Sequence, residues 1–191
     1  MSASTETSMK WTSADLELLP ENDYRYEIID GELYVTRAPH WKHQICITKI
    51  ATVLDIWSSQ SKLGEAIINP GIIFSDDNNV IPDLIWISHE RLKSCVDEAG
   101  HFTNVPELVI EVLSQKSNDI KRDKEIKLKL YSNRGVKEYW IVDWQLKQVE
   151  VYRRTQSQLR LVMTLMEGDS ISSALLPDFS CQISEFFSTF N

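Results

Sequence analysis

Cysteine is scarce in this chain and poorly placed for any of its usual roles. Its three copies, Cys46, Cys95 and Cys181, are far apart and odd in number. They offer no metal-ligand spacing and no disulfide framework, which fits a reducing cytoplasm. Long apolar runs are missing too. None approaches the ~20 residues that span a bilayer, so no membrane attachment is expected. The stretch Met1–Thr7 is polar and lacks the apolar core of a signal peptide. There is no glycine-rich phosphate loop, and no Ser or Cys stands with a His and an acid in a nucleophile pattern. A basic excess is also absent. With 20 Lys and Arg against 28 Asp and Glu, the net charge is −8. That argues against a general polyanion binder, because phosphate contacts need cations. Any contact with nucleic acid then needs a local basic patch or a bound metal.

What is present reads as one folded unit. A chain of 191 residues, 42% hydrophobic and 25% charged, is long enough for a substantial core. Residues 1–10 read as disordered, and residues 11–191 as a single domain. Tyr26 to Val35 alternates as a hairpin with Asp30-Gly31 at its turn. Residues 41–61 follow a helical period, with His43, Cys46, Ile47, Ile50, Val53, Leu54 and Trp57 on one face. Strands are expected near Ile67–Ser75, Val80–Ser88, Leu108–Ser114, Glu138–Asp143, Val149–Arg153 and Leu159–Met166, with a terminal helix from Ile183. The fold class is therefore mixed α/β (α+β), a central sheet with few helices.

Two acids stand where acids are costly. Glu111 lies in the run Leu108-Val109-Ile110-Glu111-Val112-Leu113, which reads as a buried strand. Asp83 has a similar setting in Val80-Ile81-Pro82-Asp83-Leu84-Ile85-Trp86-Ile87. A carboxylate in such surroundings needs a cation, a metal or strong donors, so the pair is a candidate metal site. After Glu111, the segment from Ser117 to Gly135 has helix-start and helix-stop signals. At 100° per residue, Ile120, Asp123, Lys127, Leu130 and Tyr131 share one face, while Lys121, Arg122 and Lys129 point elsewhere. Lys127 thus sits on the face that packs on the sheet, with Asp123 at i−4. A Glu111–Lys127 ion pair without metal would account for both residues on their own. His43, on the apolar face of a helix that would border the site, reads first as a core histidine.

These features resemble the PD-(D/E)XK nuclease pattern, in which a helix is followed by a strand with Pro-Asp and by a strand with a central acid. Several phrases resemble one branch, the restriction-endonuclease-like Uma-two family. They are Tyr26-Glu27-Ile28-Ile29-Asp30-Gly31-Glu32-Leu33, Ile81-Pro82-Asp83-Leu84, Pro106-Glu107-Leu108-Val109-Ile110-Glu111-Val112-Leu113-Ser114, Asp123 through Lys127 to Tyr131, and Gly135 through Asp143. The match covers roughly residues 12–187. In the superfamily pattern a lysine falls two residues after the acid, where this chain has Leu113. The resemblance to the branch implies that the lysine has moved to Lys127.

The resemblance implies a restriction-endonuclease-like central mixed sheet flanked by helices, and a metal-dependent endonuclease hydrolysing DNA. Mg²⁺, with Mn²⁺ as a substitute, would be held by Asp83, Glu111 and the backbone carbonyl of Val112. Lys127 would orient the attacking water. Glu32 would supply a further acid, with Glu27 as the fallback and Glu107 a weaker candidate. His43, Asp123 and Tyr131 would be site neighbours. A homodimer is expected, because two strand cuts need two sites. The alternative is a nuclease-fold module that binds DNA or protein without turnover.

Overall fold

The computed structural model describes residues 10–187. In chain order the elements are α1 (Ser13–Leu16), β1 (Arg25–Ile29), β2 (Glu32–Thr36), α2 (Trp41–Ser61), β3 (Gly64–Ile68), β4 (Ile72–Ser75), β5 (Asn78–Val80) and β6 (Leu84–Ser88). Then come α3 (His89–Leu92), β7 (Leu108–Val112), α4 (Ser117–Lys121), a π-helical segment (Arg122–Lys127), α5 (Leu128–Arg134) and β8 (Glu138–Asp143). The chain continues with β9 (Gln148–Thr155), β10 (Gln158–Met166), β11 (Ser170–Ser173), β12 (Leu176–Gln182) and α6 (Ser184–Phe187). The expected disorder of residues 1–10 lies outside the described residues except at Lys10, whose ammonium is 3.7 Å from Asp77.

The centre is a six-stranded sheet in the order β10-β9-β8-β7-β6-β3. It is mixed: β7 and β8 run parallel, joined through α4 and α5, and every other neighbouring pair is antiparallel. A four-stranded sheet, β2-β1-β5-β4, and the ribbon β11-β12 complete the strands. Side chains alternate across a strand, so the central sheet buries two cores. Leu108, Ile110 and Val112 face α2, α6 and Phe179 on one side. Val109 and Leu113 face Leu130 and Tyr131 of α5 on the other. Glu111 belongs by this alternation to the second face, directly beneath the helical segments that follow it.

Several expected elements match closely. Helix α2 spans residues 41–61, β8 spans Glu138–Asp143, and the β1–β2 hairpin turns at Asp30 and Gly31, both with positive φ. Two expected strands are corrected. The stretch Ile67–Ser75 is split between β3 and β4, which belong to different sheets. The stretch Val80–Ser88 is likewise split between β5 and β6. Its break is at Ile81-Pro82-Asp83, where Pro82 has no N–H to offer a ladder. No helix among the described residues is long and apolar enough to cross a membrane.

Candidate active site

The corner at Pro82 places Asp83 just before β6, beside the end of β7. The ladder between these strands stops at Leu84 opposite Ile110, so the Val112 N–H finds no partner on β6. Asp83 replaces the missing strand, its Oδ2 accepting that N–H at 2.9 Å. Within a strand the N–H and C=O of one residue face the same neighbour, so the Val112 carbonyl opens on the same edge. His43 Nε2, from α2, lies 3.3 Å from the same Oδ2. Arg25, from the start of β1, donates to Oδ1 at 3.1 Å and to Asn69 Oδ1 at 2.7 Å. Asp83 is 3% exposed. Burial would raise its pKa, but the His43 bond and the charges of Arg25 and Lys127 hold it well below the usual carboxylate range.

Glu111 comes from the middle of β7 and meets the helix. Its Oε1 accepts from Lys127 Nζ and from the Tyr131 hydroxyl, both at 2.9 Å. Its Oε2 has a 3.4 Å contact with the Asp83 N–H, which ties the two acids together. Lys127 Nζ is also 2.9 Å from Glu27 Oε1 and 3.9 Å from Asp123 Oδ1. Glu27 accepts the Ile81 N–H as well, at 2.9 Å. Lys127 is 1% exposed, and its ammonium is held ionised, against burial, by Glu111, Glu27 and Asp123.

Four acids crowd this cluster: Glu27, Asp83, Glu111 and Asp123 lie among Arg25, Arg122 and Lys127. The cost of gathering them falls on two. Burial, with Asp83 and the other acids nearby, outweighs Lys127 and pushes Glu111 up to about 8. Burial pushes Asp123 up to about 6 despite Lys127 and Arg122. For Glu27 the balance reverses: Lys127 and Arg122 overcome burial and hold it low. Two further features stand out. His43 Nδ1 is the one buried side-chain polar atom among the described residues with no hydrogen-bond partner. Above the cluster is a cavity of about 160 Å³ whose wall runs from buried Asp83, Glu111 and Lys127 out to Arg37, His40 and Lys116, all exposed.

The structure brings together Asp83, Glu111, Val112, Lys127, His43, Glu27, Asp123 and Tyr131. It does not bring Glu32. That residue lies at the hairpin end, exposed, where its carboxylate accepts the Tyr34 hydroxyl at 2.7 Å. Glu27, further along the same hairpin, takes the inward place. Glu107 is also elsewhere, bonded to Ser88 and paired with Arg91. Arg122 is a second correction. Ideal helical spacing turned it outward, yet it is 8% exposed and bonds Asp123 at 3.1 Å. The reason is the π-helical segment, whose wider turn changes the angular step and gathers Arg122, Asp123 and Lys127 together. The Tyr139 hydroxyl donates to the Asp123 carbonyl of that segment at 3.0 Å. Sequence reasoning missed Arg25 and His40. Arg25 carried a signal, since it alternates with Glu27 on one strand face. His40 carried none.

Among the described residues no group of three or more His, Cys, Asp or Glu side chains forms a metal-binding cluster. Two carboxylates and a main-chain carbonyl remain the candidate donors.

The sequence matches a family model described as "Uma2: Putative restriction endonuclease" over residues 13–184. No curated protein matches it. Among solved structures, one described as a "putative nuclease" from Anabaena variabilis aligns over 93% of this chain and 97% of its own. Its TM-score is 0.74 at 20% identity. The type IIG restriction endonuclease BpuSI aligns over 80% of this chain and 16% of its own, with TM-score 0.44 and 13% identity.

Proposed function

This chain belongs to the Uma2 family, and from that membership we propose that it is a metal-dependent endonuclease that hydrolyses phosphodiester bonds in DNA. The observation that carries the reading is the meeting of Asp83, Glu111 and Lys127 at the floor of one cation-walled cavity.

The residues fit a divalent cation. All candidate donors are hard oxygens, which suit Mg²⁺, and a divalent cation would favour the ionised form of Glu111, which burial pushes up to about 8. Asp83, Glu111 and the Val112 carbonyl would hold the ion. Once bound, it supplies a Lewis acid for a phosphoryl oxygen and lowers the pKa of water. The protein's own groups do the rest. Lys127, fixed between Glu27 and Glu111, keeps Glu111 oriented and places positive charge beside the reacting phosphate. Arg25 is bonded to Asp83 and only partly exposed; it is placed to exchange that carboxylate for a phosphate oxygen. His43 orients Asp83 through Nε2. Arg37 and Lys116 at the rim give the anion an entry path. Two strand cuts would call for two copies of the chain.

A cleavage assay with Mg²⁺ or Mn²⁺ across supercoiled, linear, branched and single-stranded DNA tests the reading. Metal-requiring cleavage that disappears in Asp83→Ala supports it. Equal cleavage by the variant, or none by the wild type on any DNA, rejects it. One observation favours a second reading: Asp83 and Glu111 are already matched by Arg25 and Lys127. A module that binds DNA without cutting would retain DNA affinity and show no metal-dependent product.

A further inference from the structure

The nuclease reading leaves open which form of polynucleotide the cavity accepts. Resting on that reading, we propose that Trp41, stacked with His40 at the cavity rim, is a platform for an unpaired nucleobase. The preferred substrate is then a single-stranded or splayed polynucleotide, not a closed duplex.

The argument starts from His40, which belongs to two structures at once. It lines the cavity above Asp83 and Glu111. It also stacks with two indoles, its ring centroid 5.2 Å from Trp144 at 15° and 5.7 Å from Trp41 at 29°. The inner ring, Trp144, is 7% exposed, whereas the outer one, Trp41, is 56% exposed. Helix α2 does not need Trp41 for its core. Its buried residues are His43, Cys46, Ile47, Ile50, Leu54 and Ser58. A large indole that stacks with His40 and is still more than half exposed offers flat aromatic surface to a ligand.

Its electrostatic setting selects the occupant. Lys42 Nζ lies 5.6 Å from the Trp41 ring centroid and 5.9 Å from that of Trp144. Arg37 and Lys116 stand exposed at the mouth of the cavity alongside. A π-face among cations, next to a phosphate-sized charged pocket, matches a base attached to a sugar–phosphate chain. The cavity floor is ionic and unsuited to an aromatic ring, so a base joined to a phosphate held there has to leave sideways, onto the rim. Bases inside a duplex have both faces covered by neighbours and cannot stack on a side chain. The geometry therefore discriminates by strandedness and, because every base has a π-face, tolerates any sequence.

The test is fluorescence anisotropy with the full chain, at fixed ionic strength and with Ca²⁺ in place of Mg²⁺. The probes are a short oligothymidylate, an abasic oligomer with the same number of phosphates, and a blunt hairpin duplex. Oligothymidylate should bind about tenfold tighter than the abasic oligomer, and tighter than the duplex. Trp41→Ala should erase the difference between thymidylate and abasic oligomers, and Trp41→Phe should restore most of it. Equal wild-type affinity for those two oligomers overturns the proposal, as does a duplex bound at least as tightly. So does a Trp41→Ala variant that weakens both oligomers alike, or no binding of any probe. Metal-dependent cleavage judges the nuclease reading separately: cleavage with equal affinity for thymidylate and abasic oligomers sinks the platform alone.

Discussion

Lys127 Nζ and Glu111 Oε1 lie 2.9 Å apart, both nearly sealed from water, although 16 positions separate the two residues in the chain. The strand delivers the acid and the helix that follows delivers the ammonium to the same point. Each makes the other tolerable, since either group buried alone would carry an uncompensated charge.

Replacing Lys127 by Met should therefore weaken the fold strongly. Breaking a buried pair costs about 3–5 kcal/mol, and here Glu27 and Glu111 both lose their cation. Urea unfolding at neutral pH measures the loss. Adding Glu111→Gln to Lys127→Met should recover part of it, because the two sites share one network. A single variant as stable as wild type would contradict the pairing.

Asp83→Asn should separate ion binding from folding. The amide oxygen can still accept the Val112 N–H, so the circular dichroism spectrum should stay native. Mn²⁺ titrated into the variant should give no binding heat by calorimetry, and cleavage should vanish. Heat equal to wild type would remove Asp83 from the ligand set.

The pH dependence of stability follows from the shifted acids. Glu111 and Asp123 are pushed up, to about 8 and about 6, so the folded state holds protons that the unfolded chain has released. Their contribution is complete below the ordinary carboxylate range near ~4 and is lost as pH rises through 6 and then 8. Asp83 and Glu27 are held low, so their contribution is lost as pH falls below ~4. The metal-free protein should be most stable on the acid side of neutral. Melting temperatures across this range in chelator give the profile, and a steady rise from mildly acidic to mildly alkaline pH would refute it. Saturating Mg²⁺ should release a proton near neutral pH, visible as a calorimetric enthalpy that varies with the buffer.

Tyr131→Phe removes a hydroxyl that donates to Glu111 at 2.9 Å. That bond favours the ionised carboxylate, so its loss should push Glu111 further up. Stability should drop by about 1 kcal/mol. The rising limb of the cleavage rate against pH should move to higher pH. A limb that stays in place would show that Glu111 ionisation does not control the rate.

Much of this was legible locally. Helix α2 was readable because its apolar residues recur at steps of three and four, and β8 because a short aromatic and β-branched run stands between turn signals. Glu111 was legible because an acid amid aliphatic residues violates the pattern around it. Glu27 and Glu32 were harder to separate. Both alternate on one hairpin face, and only the position of β5 and the helix shows that Glu27 is covered while Glu32 remains in water. Arg122 was misplaced because an ideal helical step was applied to a segment that is π-helical. His40 carried no pattern; it caps α2 by accepting the Lys42 N–H at 3.2 Å, and its stacking with Trp144, more than 100 residues away, is tertiary.

The order of the residues by itself determined where most strands and helices form and that Asp83, Glu111 and Lys127 must lie inside, because periodicity and the cost of burying charge are local properties of the chain. Only the tertiary structure decided which acid meets which cation and where Pro82 turns the chain from one sheet to the next. It also decided that the cluster crowds four carboxylates together and opens beside an exposed indole. Those outcomes depend on distances between segments remote in sequence, and electrostatic energy is set by distance and burial together.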